Sequence, residues 1–120
     1  MKIAVIGSRS ITDPNEVTGQ LENLTVTKII SGGAAGVDTI AERWADLTGT
    51  PKLIIKPNYQ RYGKAAPLER NKLIVEAADY VIAIWDGKST GTLQAVNYAK
   101  KIGKPVQVIN TAQKGQMGLF

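Results

Sequence analysis

Residues 27–38 read TKIISGGAAGVD, an apolar run that breaks into three glycines and two alanines around one serine and one aspartate. Downstream, Val37, Ile40, Ala41, Trp44 and Leu47 recur at helical spacing until Gly49 and Pro51 end the run. The unit is therefore a buried strand, a glycine-rich turn and an amphipathic helix from about 35 to 48. The same unit recurs outward in both directions, and that repetition decides the fold.

KIAVIG (2–7) reads as a strand and TDPNEVTGQLENL (12–24) as a helix opened by Thr12 or Asp13, with Pro14 just inside. VTKII (26–30) is the second strand and KLIIK (52–56) the third. The stretch PNYQRYGKAAP reads as a loop. A helix over 68–78 buries Leu73, Ile74, Ala77 and Ala78, and DYVIAIWD (79–86) is the fourth strand. A last helix over 90–102 carries Leu93, Val96, Ala99 and Ile102 in step, and VQVI (106–109) is the fifth strand. Wholly apolar strands separated by helices imply a parallel sheet covered on both faces. The expectation is a single Rossmann-like, doubly wound α/β domain over 1–109 with strand order 3-2-1-4-5, followed by a tail over 110–120.

The chain is 120 residues long and holds neither cysteine nor histidine, which removes disulfides, thiolate nucleophiles, imidazole bases and the usual zinc ligands. Its carboxylates are scattered, so no metal and no cofactor is expected. No apolar run reaches the roughly 18 to 20 residues of a membrane span, and a cytoplasmic protein without membrane contact is expected. The formal charge is +5. All of that excess lies between Lys52 and Lys72, where Lys52, Lys56, Arg61, Lys64, Arg70 and Lys72 face one acid, Glu69. Such a stretch is either a solvated face or an anion-facing edge.

In a doubly wound sheet the loops after the strands emerge at one edge, where ligands bind. Here they are GSRS (7–10), SGGAAGVD (31–38), the basic loop, and DGKSTGT (86–92). Glycines let backbone N–H groups approach a phosphate at the positive end of a helix, so the expectation is that a phosphate or ribose touches these loops. GxGxxG and GxxxxGK[ST] are both absent, which argues against an ordinary NAD dehydrogenase or P-loop NTPase. Tyr59 and Tyr62 are the better candidates for stacking on a base, whereas Trp44 and Trp85 read as core.

GSR, SGGAAGVDTIAERWA, YGKAAPLERNKLIVEAADYVIAIWDGKSTGT and GKPV, in that order over residues 3–109, resemble the YspA-like branch of the SLOG superfamily. Its relatives include the lonely-guy phosphoribohydrolases and the Rossmann-like domain of DNA-processing protein A. The resemblance implies one pocket around Gly7, Ser8, Arg9, Ser31, Gly32, Gly33, Asp38, Arg70, Asn71, Asp86, Ser89, Gly91 and Thr92. Lonely-guy enzymes carry PGGxGTxxE, where this chain reads DGKSTGTLQA. Ala95 stands in the place of their catalytic glutamate, while Arg70 matches the arginine that pairs with it.

The expected function is binding of a nucleotide or nucleotide-derived ligand, of the nucleoside phosphate or ADP-ribose kind, as a sensor or binding module. Cleavage of a nucleotide N-glycosidic bond and binding of single-stranded nucleic acid stay open as alternatives, the first lacking an assured carboxylate. A homodimer is implied by the relatives, with Met117, Leu119 and Phe120 as an apolar end able to pack on a partner.

Overall fold

The computed structural model describes residues 1–111. Of the expected tail over 110–120, Asn110 belongs to the last strand, and residues 112–120, with Met117, Leu119 and Phe120, lie outside the described residues. Strand β1 (Lys2–Gly7) is central, with β2 (Lys28–Ser31) and then β3 (Lys52–Ile54) on one side, and β4 (Tyr80–Trp85) and β5 (Val106–Asn110) on the other. The order is 3-2-1-4-5 and all four pairings are parallel, with Ala4 opposite both Ile30 and Val81.

Alternation along β1 divides the core. Ile3 and Val5 pack on one face with Val17 and Leu21 of α1 (Pro14–Leu21) and with Val37, Ala41 and Ala45 of α2 (Val37–Thr48). Ala4 and Ile6 pack on the other with Ile74 and Val75 of α4 (Ala66–Ala77) and with Ala95 and Ala99 of α5 (Thr90–Lys101). Each fully buried Ile, Leu or Val stabilises the fold by roughly 1.5 to 3 kcal/mol, and β1 contributes to both layers at once.

Helix boundaries follow local chemistry. Asp13 caps α1 by accepting from the Asn15 amide at 3.0 Å, with Pro14 at the first helical position, where its missing N–H costs nothing. The helix stops at Leu21, short of the expected 24, and β2 begins at Lys28. Gly36 and Gly49, both with positive φ, bracket α2. Leu47 is 79% exposed because the inward row is Val37, Ala41 and Ala45, and Leu47 lies off it.

Two further expectations change. The stretch after β3 is not an irregular loop: Asn58 accepts from the Arg61 amide and caps a short α3 (Tyr59–Tyr62), and a 3-10 turn (Gly63–Ala65) leads into α4. The inward row of α4 is Ala66, Arg70 and Ile74, spaced four apart, with Val75 beside it, and Leu73 is exposed. An arginine thus occupies a core-facing position that hydrophobic periodicity assigns to an apolar residue. On α5 the buried residues are Thr92, Ala95, Val96 and Ala99, while Leu93 and Ile102 are exposed. Among the described residues no helix is long and apolar enough to cross a membrane.

Candidate functional site

At the C-terminal edge of the sheet, where chain order reverses between β1 and β4, the loops enclose a cleft of about 360 Å³. Of the residues singled out in the sequence, Gly7, Arg9, Asp38, Arg70 and Asn71 line it. So do Asp86, Ser89, Gly91 and Thr92, from the loop after β4 and the first turn of α5. Ile6, Ser10, Ala34, Pro67 and Ile74 complete the lining. Ser10 and Pro67 stand inside the quoted motifs, and Ile6 and Ile74 are core residues whose edges form the floor.

Ser8, Ser31, Gly32 and Gly33 do not line the cleft, and each has an internal task. Ser8 is buried and its Oγ accepts from the Asp86 amide at 3.1 Å, joining the loops after β1 and β4. Ser31 is buried and donates to the Glu42 carboxylate of α2, a residue that sequence reasoning passed over. Its spacing of four from Asp38, on the same helix face, was the available signal. The Gly33 amide turns back onto Ser31 Oγ at 3.4 Å.

The glycine-rich loop is shaped chiefly by the protein's own atoms. A Cβ at Gly32 would lie 2.5 Å from Arg70 Nη1 and 2.8 Å from its Cζ. One at Gly36 would meet the Ser8 and Arg9 carbonyl oxygens at 2.7 Å, and one at Gly7 would meet Val37 Cγ2 at 2.4 Å. At these three positions close approach of the protein's own helices and loops leaves no room for a Cβ, so glycine is required there whether or not a phosphate or ribose touches the backbone. Gly91 differs: a Cβ there meets nothing within 4 Å, its φ is not positive, and it borders the cleft.

Three amides of the loop after β2, those of Gly32, Gly33 and Ala34, are also committed. Asp38 Oδ2 accepts from the Gly32 and Ala34 amides, each at 3.2 Å. Arg70 Nη1 donates to the Gly32 carbonyl at 2.6 Å and its Nε donates to Asn71 Oδ1 at 2.9 Å. Gly32 is thus gripped from both sides. Asp38 and Arg70 are each 7% exposed. Burial pushes the Asp38 carboxyl up to about 6, opposed by the Ala34 amide and the Arg70 charge and aided by Glu42. Burial likewise presses the Arg70 guanidinium below its ordinary value, opposed by the Asp38 carboxylate.

Asp86 behaves in the opposite way. Its Oδ1 accepts from the Lys88 and Ser89 amides, each at 2.8 Å, and its Oδ2 accepts from Ser10 Oγ at 2.8 Å. These bonds, the two amides first, hold its carboxyl down to about 2. Ser89 caps α5 through the Thr92 amide, and Trp85 Nε1 donates to the Ser89 carbonyl at 2.9 Å, so that indole fixes the entry to α5. The first-turn amides of Thr90 and Gly91 have no intrahelical acceptor. Of these, Gly91 borders the cleft, where the exposed Arg9 and the free Nη2 of Arg70 add positive charge.

Ala95 lies in the core layer between α4 and α5 and not in the cleft. Tyr59 is 58% exposed and Tyr62 37%, with the Arg61 guanidinium 5.2 Å from the Tyr62 ring centre. Two cations of the basic stretch are paired, Lys52 with Asp46 and Lys72 with Glu69. Among the described residues no group of three or more carboxylates is arranged to hold a metal ion.

The YspA, cpYpsA-related SLOG family model matches residues 1–62, which span β1 through α3 and contain the glycine-rich turn. The chain belongs to this family. Gene 61 protein of Mycobacterium phage D29 is 38% identical over 85 residues, covering 65% of this chain and 67% of that protein. DNA processing protein A of Streptococcus pneumoniae shares the fold, with a TM-score of 0.72 at 24% identity over 89% of this chain. DNA processing protein A of Helicobacter pylori, described for its single-stranded DNA binding mode, aligns with a TM-score of 0.69 at 25% identity over 90% of this chain. The SLOG chain spans 49% and 64% of those two proteins' lengths.

Proposed function

We propose that this SLOG domain binds a nucleotide or nucleotide-derived phosphate ester in the cleft at the β1/β4 switch point. The observation that carries the reading is convergence: Arg9, Arg70 and the first-turn Gly91 of α5 line one cleft. Its volume, about 360 Å³, lies at the lower end of the range for small-molecule sites. Guanidinium groups and helix N-termini both favour phosphate, and Gly91 leaves room beside the amides. A thermal-shift panel of nucleoside monophosphates and ADP-ribose derivatives tests it, since a ligand bound only by the folded state raises Tm. No shift from any phosphate ester at millimolar concentration refutes it.

A second reading, single-stranded nucleic-acid binding, is favoured by the likeness to the Helicobacter pylori protein and by the exposed Tyr59, Arg61 and Tyr62 cluster. Aromatic rings interleaved with cations stack on bases without sequence preference. Its signature is affinity that grows with oligonucleotide length and falls steeply with salt. A cytoplasmic homodimer goes with either reading, and light scattering of the purified chain tests the dimer.

A further inference from the structure

Asp38 and Arg70 hold Gly32 between them, Asp38 Oδ2 on its amide and Arg70 Nη1 on its carbonyl. That leaves one atom of each without a partner among the described residues: Asp38 Oδ1, an acceptor, and Arg70 Nη2, a donor. Both side chains are more than nine-tenths buried and both line the cleft. No polar side-chain atom of the described residues is at once sealed from solvent and unpartnered, so these two atoms open onto the cleft. An acceptor and a donor on two otherwise buried side chains thus face the same cleft, and a ligand that displaces water from them has to satisfy both.

Chemistry narrows that occupant. A phosphate or carbonyl oxygen meets Arg70 but offers no proton to Asp38, and a phosphate would also meet the carboxylate's charge. An exocyclic amine donates to Asp38 but presents no useful lone pair to Arg70. A hydroxyl does both, donating with its O–H and accepting on its oxygen. We infer that Asp38 accepts a hydrogen bond from a sugar hydroxyl of a ribose phosphate while Arg70 donates to the same hydroxyl, making Asp38 the residue that selects the sugar.

The inference rests on the nucleotide reading and sharpens it. An internal residue of a DNA strand has its 3′ oxygen esterified and carries no 2′ hydroxyl, so its sugar offers this pair no hydroxyl. On this inference the cleft prefers a free ribose phosphate to an internal deoxyribose. Burial holds the Asp38 carboxyl near 6, so at neutral pH it is ionised and accepts. Hydrogen bonds to a charged group are the stronger kind, which gives the contact its selectivity.

The test uses calorimetry on the full chain with ribose 5-phosphate, its 2-deoxy and 3-deoxy analogues, and inorganic phosphate. The expected result is a loss of about 10- to 100-fold in affinity for at least one deoxy analogue relative to ribose 5-phosphate. Asp38→Asn keeps an oxygen for the Gly32 and Ala34 amides and turns an NH2 toward the cleft, replacing the acceptor with a donor. It is expected to abolish the preference for ribose 5-phosphate over that analogue, while affinity for inorganic phosphate rises as a negative charge is removed. Equal wild-type affinity for ribose 5-phosphate and both deoxy analogues overturns the inference and leaves the anion site standing. Failure of the wild type to bind either ribose 5-phosphate or phosphate overturns the nucleotide reading itself. If Asp38→Asn does not fold, the wild-type comparison with the deoxy analogues decides alone.

Discussion

Gly32→Ala and Gly91→Ala are expected to change stability in opposite directions, although both sit in glycine-rich turns of the same edge. At Gly32 the new Cβ lies 2.5 Å from Arg70 Nη1, 2.8 Å from Cζ and 3.0 Å from Nε. A flexible side chain could retreat, but this guanidinium is buried and tied to the Gly32 carbonyl and to Asn71. Overpacking costs about 1 to 3 kcal/mol, and giving up a charge-assisted bond costs about 1.5 to 3 kcal/mol. Strain and bond loss are alternative ways of relieving the same clash, so a net loss of roughly 1 to 3 kcal/mol follows. At about 4 °C per kcal/mol, that lowers Tm by roughly 4 to 12 °C. At Gly91 the Cβ meets nothing within 4 Å, and the residue is in the first turn of α5. Removing glycine from a helix there gains up to about 0.5 to 1 kcal/mol through lower chain entropy in the unfolded state. Urea denaturation of both variants beside the wild type reads the two signs directly. A Gly32→Ala protein as stable as the wild type would refute the packing account of the loop. It would also restore a ligand as the reason for that glycine.

Three further outcomes are expected. Arg9→Ala should weaken binding of a nucleoside monophosphate by about 1.5 to 3 kcal/mol with little change in Tm, because Arg9 is exposed, whereas Arg70→Ala should lower both affinity and stability. Isothermal titration beside melting curves separates the two, and a fall in Tm for Arg9→Ala equal to that of Arg70→Ala would contradict the assignment. Asp38, raised from 3.8 to about 6, binds its proton more tightly in the folded state. Its contribution to stability is complete below about pH 4 and is lost as pH rises through about 6, a swing of roughly 3 kcal/mol. Asp86, depressed to about 2, acts with the other sign: its contribution is present above pH 4 and lost as pH falls toward 2. Asp38→Asn and Asp86→Asn should each lose the part of the pH slope that the wild-type group contributes in its window, and an unchanged slope counts against the corresponding carboxyl. Incubation with nucleoside monophosphates and ADP-ribose should release no free base catalytically, since Ala95 is buried away from the cleft. Multiple turnovers per minute, abolished by Asp38→Asn, would make the protein a hydrolase with Asp38 as its acid.

The sequence by itself determined the sheet and its order, because strands such as IAVI and VIAI are apolar on both faces and alternate with helix-length segments. It also determined which loops meet, since parallel topology sends every strand's C-terminal end to one edge. Helix faces were less legible where a polar residue turns inward. Arg70 fills a core-facing position of α4, so the periodicity that favours Leu73 points to the wrong side. The purpose of the loop glycines could not be read locally at all. A glycine that admits a phosphate and one that admits a neighbouring guanidinium have the same letter and the same backbone freedom. Only the tertiary structure brings Arg70, 38 residues away in sequence, against Gly32. The same long-range contact buries Asp38 beside Arg70, and burial gives that carboxyl its raised pKa, a property of surroundings that no residue carries alone.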